Sequence, residues 1–249
     1  MVLNYKEQNP EVLLNDFTKR FWVFNNPTNG KLNYTILPDA YCDLIITIVS
    51  GKLESIVLFG IWTKELEVVV PENSIIFGIC FKPLASEYIL KHNLSSILNS
   101  YTTLPSDFWG IDKLNYEDFD LFVKSISFQM IATLQKIKQL DYRKINVFKN
   151  IFAENNILSV DELSKIVFWN SRQINRYFNS RFGLSLKSYL NIIRCSSTYT
   201  DIRNGDFFPK EDFYDQSHFI KEVKKHTGKN PRELHKNEND RFLQFKTLP

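Results

Sequence analysis

The stretch Ser159-Val-Asp-Glu-Leu-Ser-Lys-Ile-Val-Phe-Trp-Asn-Ser171-Arg-Gln-Ile-Asn-Arg-Tyr-Phe-Asn-Ser-Arg-Phe182-Gly183 decides the reading of this 249-residue chain. Ser159 and Glu162 have the spacing of a capping box, in which each side chain satisfies the other's backbone donor. They open a short helix with Val160, Leu163, Ile166 and Val167 on its inner face. Phe168-Trp-Asn170 makes a turn, Ser171 caps the next helix, and Gly183 stops it. In that second helix Ile174, Tyr177, Phe178 and Phe182 recur at helical spacing and face inward. Arg172, Gln173, Asn175, Arg176 and Asn179 are left outside. Two short helices joined by a tight turn, the second rich in Arg, Gln and Asn, form a helix-turn-helix. Arg suits bidentate contact to guanine, and Asn or Gln to adenine. The plainer alternative is a solvated helix face.

Downstream, Leu184-Ser-Leu-Lys187-Ser-Tyr189-Leu-Asn-Ile-Ile-Arg194 continues as a helix, reaching to Arg203 at its longest. Phe213-Tyr-Asp215-Gln216-Ser217-His218-Phe219-Ile-Lys221-Glu222 follows, then Lys224-Lys225, Gly228 and Pro231. With Ser171-Arg172, the Arg-Tyr-Phe-x-x-x-Phe-Gly run at 176–183, Tyr189 and Arg194, this pattern resembles the AraC/XylS family of bacterial transcription regulators over about a hundred residues. The resemblance implies a C-terminal all-α domain with two helix-turn-helix units joined by a long helix, binding double-stranded DNA. A helix from about Ser185 to Arg203 would span roughly 28 Å, enough to set two reading helices about one DNA turn apart. The expected DNA contacts are Ser171, Arg172, Gln173, Asn175, Arg176, Asn179 and Lys187 in the first unit. In the second they are Asp215, Gln216, Ser217, His218, Lys221, Lys224 and Lys225. The chain departs from the family at Ser164, where an Ala is usual, and at Phe207-Phe-Pro-Lys-Glu-Asp212. Pro209 cannot sit inside a regular helix, so the second unit should make phosphate and shape contacts more than it reads bases.

Asp215, Ser217 and His218 are also the elements of a hydrolase triad, yet they lie within four residues on one helix start, and no Gly-x-Ser-x-Gly elbow is present. No catalytic residue is expected. His226 and His235 are expected at the surface or beside phosphates. His92 is the only histidine before residue 217, so no metal and no cofactor are expected in the first half.

The first hundred residues read as strand. Asp43–Ser50, Ser55–Phe59, Glu67–Val70 and Ser74–Phe81 are β-branched runs punctuated by Gly, Pro and Asn. They predict an antiparallel barrel or sandwich. Phe21-Trp22, Pro38-Asp39 and Gly78-Ile-Cys-Phe-Lys-Pro83 resemble the N-terminal domain of some Bacteroidetes regulators of the same family, which implies a cupin-like domain that binds a small effector. Trp22, Tyr41, Phe59, Trp62 and Phe77 could line an apolar pocket or simply fill the core. Periodicity leaves Val12–Phe24 open between helix and strand, and suggests a helix over Ala85–Leu98. Tyr116–Leu140 has an amphipathic stripe that suits either subunit pairing or packing within the chain. The tail around Asp240–Phe245 should dock on the last helix.

The expected fold is therefore α+β with two domains: a β-rich sensor at 1–110, a helical linker at 111–145, and the DNA-binding half at 146–249. Charge divides in the same way. Residues 1–150 carry 15 Lys/Arg against 16 Asp/Glu, and residues 151–249 carry 16 against 12. All the excess positive charge sits in the helical part, as nucleic-acid contact by one half requires. A hydrophobic fraction of 43% excludes a disordered chain. No apolar run is long enough for a membrane span, and no secretory signal is visible. Cys42, Cys80 and Cys195, odd in number and without CxxC, suit free thiols in the cytoplasm. The partners expected are DNA, a small-molecule effector, a second copy of the chain and, for an activator, RNA polymerase; no membrane is expected. The rival reading is a small-molecule-binding protein or metal-independent enzyme with a helical accessory domain.

Overall fold

The computed structural model describes residues 5–153, 158–208, 213–237 and Phe242. Its first half is an antiparallel β structure. Strands β1 (Tyr5–Gln8), β2 (Thr18–Asn26), β4 (Cys42–Val49), β5 (Lys52–Phe59), β7 (Ser74–Phe81) and β8 (Tyr101–Leu104) form one sheet in the order β1-β2-β7-β4-β5-β8. Strands β3 (Leu32–Ile36) and β6 (Leu66–Val70) pair as a separate ribbon. The sheet does not close into a barrel; β1 and β8 are its edges. Val12–Leu14 is a single 3-10 turn, and most of the 12–24 region is strand β2.

The period-2 alternation of each strand sorts the sheet into two faces. On one face Phe21, Leu44, Ile46, Phe77, Ile79 and Phe81 are buried and join the main core cluster. Helix α2 (Phe119–Gln135) packs here through Phe119, Phe122, Val123, Ile126 and Met130, with the Phe122 ring stacked 4.4 Å from Phe77. The amphipathic stripe is thus consumed within the chain, and α2 starts later and ends earlier than its apolar pattern. Ala85–Leu98 is not one helix. It holds α1 (Ala85–Tyr88) and a 3-10 turn at Leu94–Ile97, separated where Lys91 takes a left-handed φ of 52°.

The second half comprises α3 (Tyr142–Ile151), α4 (Val160–Ile166), α5 (Ser171–Phe182), α6 (Leu186–Ser197), α7 (Tyr199–Arg203), α8 (Gln216–Thr227) and α9 (Pro231–Lys236). The expected long helix is broken at Thr198. Ser196, Ser197 and Thr198 each turn the hydroxyl back onto the carbonyl three residues earlier, at 3.0, 2.9 and 2.7 Å. Three consecutive side chains competing for helix carbonyls tighten the turn, and α7 leaves as a separate segment.

The halves share one core. The main apolar cluster runs from Leu14 and Phe17 through the sheet and α2 to Phe148, Phe178, Tyr189 and Ile192. A second cluster gathers Leu37, Cys195, Tyr199, Ile202, Phe219, Val223, Leu234 and Phe242. Phe242 of the tail therefore docks on this shared cluster, and bridges to Thr35 of β3 rather than resting on α9 alone. All three cysteines are buried and free.

Candidate nucleic-acid interface and ligand cavity

Helices α4 and α5 form the helix-turn-helix. Ser159 and Glu162 make both bonds of the capping box, at 2.8 and 3.3 Å. Leu163 and Val167 are buried, but Ile166 is 47% exposed and leaves the inner face. The α5 cap is Asn170, not Ser171. Its carboxamide oxygen accepts the Gln173 N–H at 3.0 Å, and Ser171 is the first helical residue. Gly183 ends α5 at a φ of 76°, with its α-carbon close to Ser95 and Leu98 of the β half. Ile174, Tyr177, Phe178 and Phe182 are buried as expected.

On the opposite side of α5, Arg172, Gln173, Arg176 and Asn179 are exposed. Asn175 is half-buried and bonded within the chain. Its Nδ2 donates to the Ser171 carbonyl at 3.0 Å, and its Oδ1 accepts the Leu186 N–H at 3.1 Å. That carboxamide ties α5 to the start of α6, leaving one N–H and one lone pair of the side chain outside these two bonds. Ser171 is half-buried and Lys187 exposed.

In the second unit, 209–212 lie outside the described residues, so the Pro209 segment does too. Asp215 caps α8, its Oδ1 accepting the His218 N–H at 2.7 Å. His218 is half-buried, its ring 5.8 Å from Phe213. Gln216, Ser217, Lys221, Lys224 and Lys225 are exposed; Lys225 also pairs with Glu222 at 3.2 Å. Asp215, Ser217 and His218 make no triad, because the carboxylate bonds a backbone amide. His226 is corrected. It is buried, with Nδ1 2.9 Å from the Thr63 carbonyl, and burial lowers its pKa from the usual histidine value. Nδ1 of His235 lies 3.1 Å from the carbonyls of Ile202 and Arg203 and so closes the end of α7.

The other face of the large sheet looks toward the β3–β6 ribbon, and between them lies a cavity of about 380 Å³. Register places its lining in rows across the sheet: Arg20, Asp43 and Phe59; then Trp22, Ile45 and Val57; then Phe24, Ile76, Thr47 and Ser55. The ribbon adds Tyr34, Ile36, Leu66, Val68 and Val70. Most of the wall is apolar. The polar end holds Arg20, Asp39 and Asp43, with Trp62 also lining the space. Arg20 Nε and Trp62 Nε1 are buried with no hydrogen-bond partner among the described residues; Glu7 Oε2 stands 3.6 Å from Arg20 Nε. Burial and the neighbouring Asp39 push the Asp43 carboxyl up to about 7, against the pull of Arg20 and of the nearby Trp22 and Cys80 donors. Burial also raises Asp39, opposed chiefly by Arg20. Two N–H donors without a hydrogen bond, one of them also ion-paired to Glu7, beside an apolar space suit a molecule with an acceptor oxygen on an apolar body.

Trp22, Phe59 and Trp62 line this cavity. Tyr41 and Phe77 do not. Phe77 alternates to the opposite face and packs on α2, and Tyr41 stacks on Phe152 at 5.2 Å. Sequence reading missed Arg20, Asp39 and Asp43 as cavity residues. Their signal was present in the alternation Arg20/Trp22/Phe24 and Asp43/Ile45/Thr47, once the strand over 18–26 is recognised. Among the described residues no group of three or more His, Cys, Asp or Glu side chains is placed to hold a metal ion, and no helix is long and apolar enough to cross a membrane.

Residues 6–103, which run from β1 to β8, match the family model described as a domain of unknown function, DUF6597. No curated protein matches the chain. Solved structures of ToxT from Vibrio cholerae are similar. An apo variant aligns at 14% identity and a TM-score of 0.42, covering 91% of this chain and 98% of that one. A 1.65 Å structure aligns at 14% identity and a TM-score of 0.40, covering 93% and 96%. A wild-type form bound to unsaturated fatty acid gives 15% and 0.38, with 93% of both chains covered.

Proposed function

We propose that this chain is a sequence-specific, DNA-binding transcription regulator of the AraC/XylS type, acting in the cytoplasm, whose β half holds a small-molecule effector. The observation that carries the reading is the face of α5. A helix-turn-helix buries Ile174, Tyr177, Phe178 and Phe182, and leaves Arg172, Gln173, Arg176 and Asn179 exposed together. These four are the base-reading set. Gln216 and Ser217 at the start of α8 add a second, weaker reader, and Lys187, Lys221, Lys224 and Lys225 supply phosphate contacts. The effector site is the cavity, with Trp22, Phe59 and Trp62 as apolar walls and Arg20, Asp39 and Asp43 as its polar end. No chemistry is assigned to either half.

Fluorescence anisotropy of the full chain, on duplexes selected from a random library, tests the reading. The selected sequence should bind at least ~10³-fold tighter than scrambled duplex, as specific DNA-binding proteins do. Equal affinity for selected and scrambled duplex would overturn it.

A further inference from the structure

Five residues between β3 and β4, Leu37 to Tyr41, touch both the cavity and the helical half. Leu37 is buried among Cys195, Tyr199, Ile202, Phe219, Val223 and Leu234. The Pro38 carbonyl accepts the Tyr199 hydroxyl at 2.8 Å. Asp39 lines the polar end of the cavity. Ala40, held at a left-handed φ of 66° that an alanine rarely adopts, gives its carbonyl to the Tyr189 hydroxyl at 2.9 Å. Tyr41 stacks on Phe152 just past α3. Every residue of this strap except Asp39 is therefore engaged by the helical half, and Asp39 alone points at the ligand space.

We propose that the strap Leu37–Tyr41 passes the state of the cavity to both DNA-reading helices, with the hydroxyls of Tyr189 and Tyr199 as its grip on α6 and α7. The inference rests on the reading of the cavity as an effector site. A ligand head that meets Arg20 and Asp39 changes the pull on Asp39 and so the position of the strap. Tyr189 and Tyr199 are 0% and 2% exposed, so their hydroxyls have no water to turn to. The helices must follow the strap or give up the two buried bonds to Pro38 and Ala40, which is the costlier course. From α6 the path to α5 is direct, because Leu186 N–H is bonded to Asn175. The path to α8 runs through Leu37, which packs with Phe219 and Val223. Tyr189 and Tyr199 are thus positioning residues that touch neither ligand nor DNA.

Hydrogen–deuterium exchange of the full chain tests this in four proteins: the parent, Asp39→Asn, Tyr189→Phe with Tyr199→Phe, and the triple variant. Asparagine keeps the bond accepted from the Tyr41 N–H and replaces the ionisable carboxyl at the polar end of the cavity with a neutral amide. In the parent background Asp39→Asn should speed exchange of amides 186–203 by roughly five-fold, the factor that one hydrogen bond of about 1 kcal/mol represents. In the double-phenylalanine background that increment should vanish, while strand 52–59 is unchanged throughout. The proposal is overturned if Asp39→Asn leaves 186–203 unchanged in the parent, or speeds it equally without the two hydroxyls. Should the double variant fail to fold, Tyr199→Phe alone serves in the same comparison, with the increment at least halved. Duplex affinity of the parent is measured on the same preparation. Loss of all DNA binding would refute the regulator reading and leave the exchange result standing, whereas intact DNA binding with no exchange effect would refute the strap.

Discussion

Adding one methyl group at Gly78 should displace Trp22. Gly78 sits in β7 between Trp22 on β2 and Ile45 on β4, and the indole lies flat across it. A Cβ there would be 1.9 Å from Trp22 Cε2, 2.2 Å from Cζ2 and 2.4 Å from Nε1, far inside contact distance. Two opposing effects follow from Gly78→Ala. Alanine loses less backbone entropy in a strand, which favours the variant by roughly 0.5–1 kcal/mol. Against this, the indole must leave its seat, part from the Tyr5 ring at 6.3 Å and turn into the cavity. Forced overpacking of this kind costs about 1–3 kcal/mol. The clash wins, with a net loss of about 1–2 kcal/mol, or roughly 2–8 °C in Tm for a chain of this size. Urea and thermal unfolding should show it, and Trp22→Leu should remove it, because the obstructing ring is then gone. In that background Gly78→Ala is expected to be neutral or stabilising, a non-additivity of at least about 1 kcal/mol. Equal effects in both backgrounds, or a stable single variant, would refute the placement of Trp22 over β7.

Four further outcomes are expected. Asn175→Ala should cost about 1–2 kcal/mol of stability through the two bonds it loses and leave the DNA affinity of the folded fraction unchanged. Arg176→Ala should do the reverse, with stability within about 0.5 kcal/mol and affinity for the preferred site down by about 1–3 kcal/mol. Asp43, whose folded pKa is raised to about 7, favours its protonated form in the fold. Its contribution to stability is present below the unfolded carboxyl value of about 4 and is lost as pH rises through 7, so Asp43→Asn should flatten that decline and exceed the parent at pH 8. His226 has the opposite sign. Its lowered pKa means stability is present above about pH 6.5 and lost as pH falls through the folded value. His226→Asn, which keeps an N–H donor for the Thr63 carbonyl, should be less sensitive to acid in the same melts.

The helical half was legible where local rules decide structure. The capping box at Ser159 and Glu162, the stop at Gly183 and the inward set Ile174, Tyr177, Phe178 and Phe182 all depend on neighbours in sequence, and all are present. The tie made by Asn175 was not legible, because helical spacing puts it on the outer face while its partner Leu186 belongs to the next helix. His226 was misread for the same reason: the Thr63 carbonyl that holds it comes from the other half. The β-branched strands β4 and β7 were plain in sequence, but β2 was not, since Thr18–Asn26 mixes charged, aromatic and polar residues on its two faces. Missing β2 hid Arg20, and with it the polar end of the cavity. The aromatics Tyr41 and Phe77 looked equivalent to Trp22 and Phe59 by composition. Only the face to which each residue alternates separates lining from core.

The central claim, that the exposed face of α5 reads duplex DNA, is tested most directly by a salt-titrated affinity measurement on the selected duplex. The parent is compared with an Arg172→Ala, Arg176→Ala double variant of matched thermal stability. The account predicts that the parent's affinity falls steeply and linearly on a log–log plot against salt, as counterion release requires. It further predicts that the double variant loses its preference for the selected site over scrambled duplex at every salt concentration. Equal affinity and equal preference in the two proteins would contradict it.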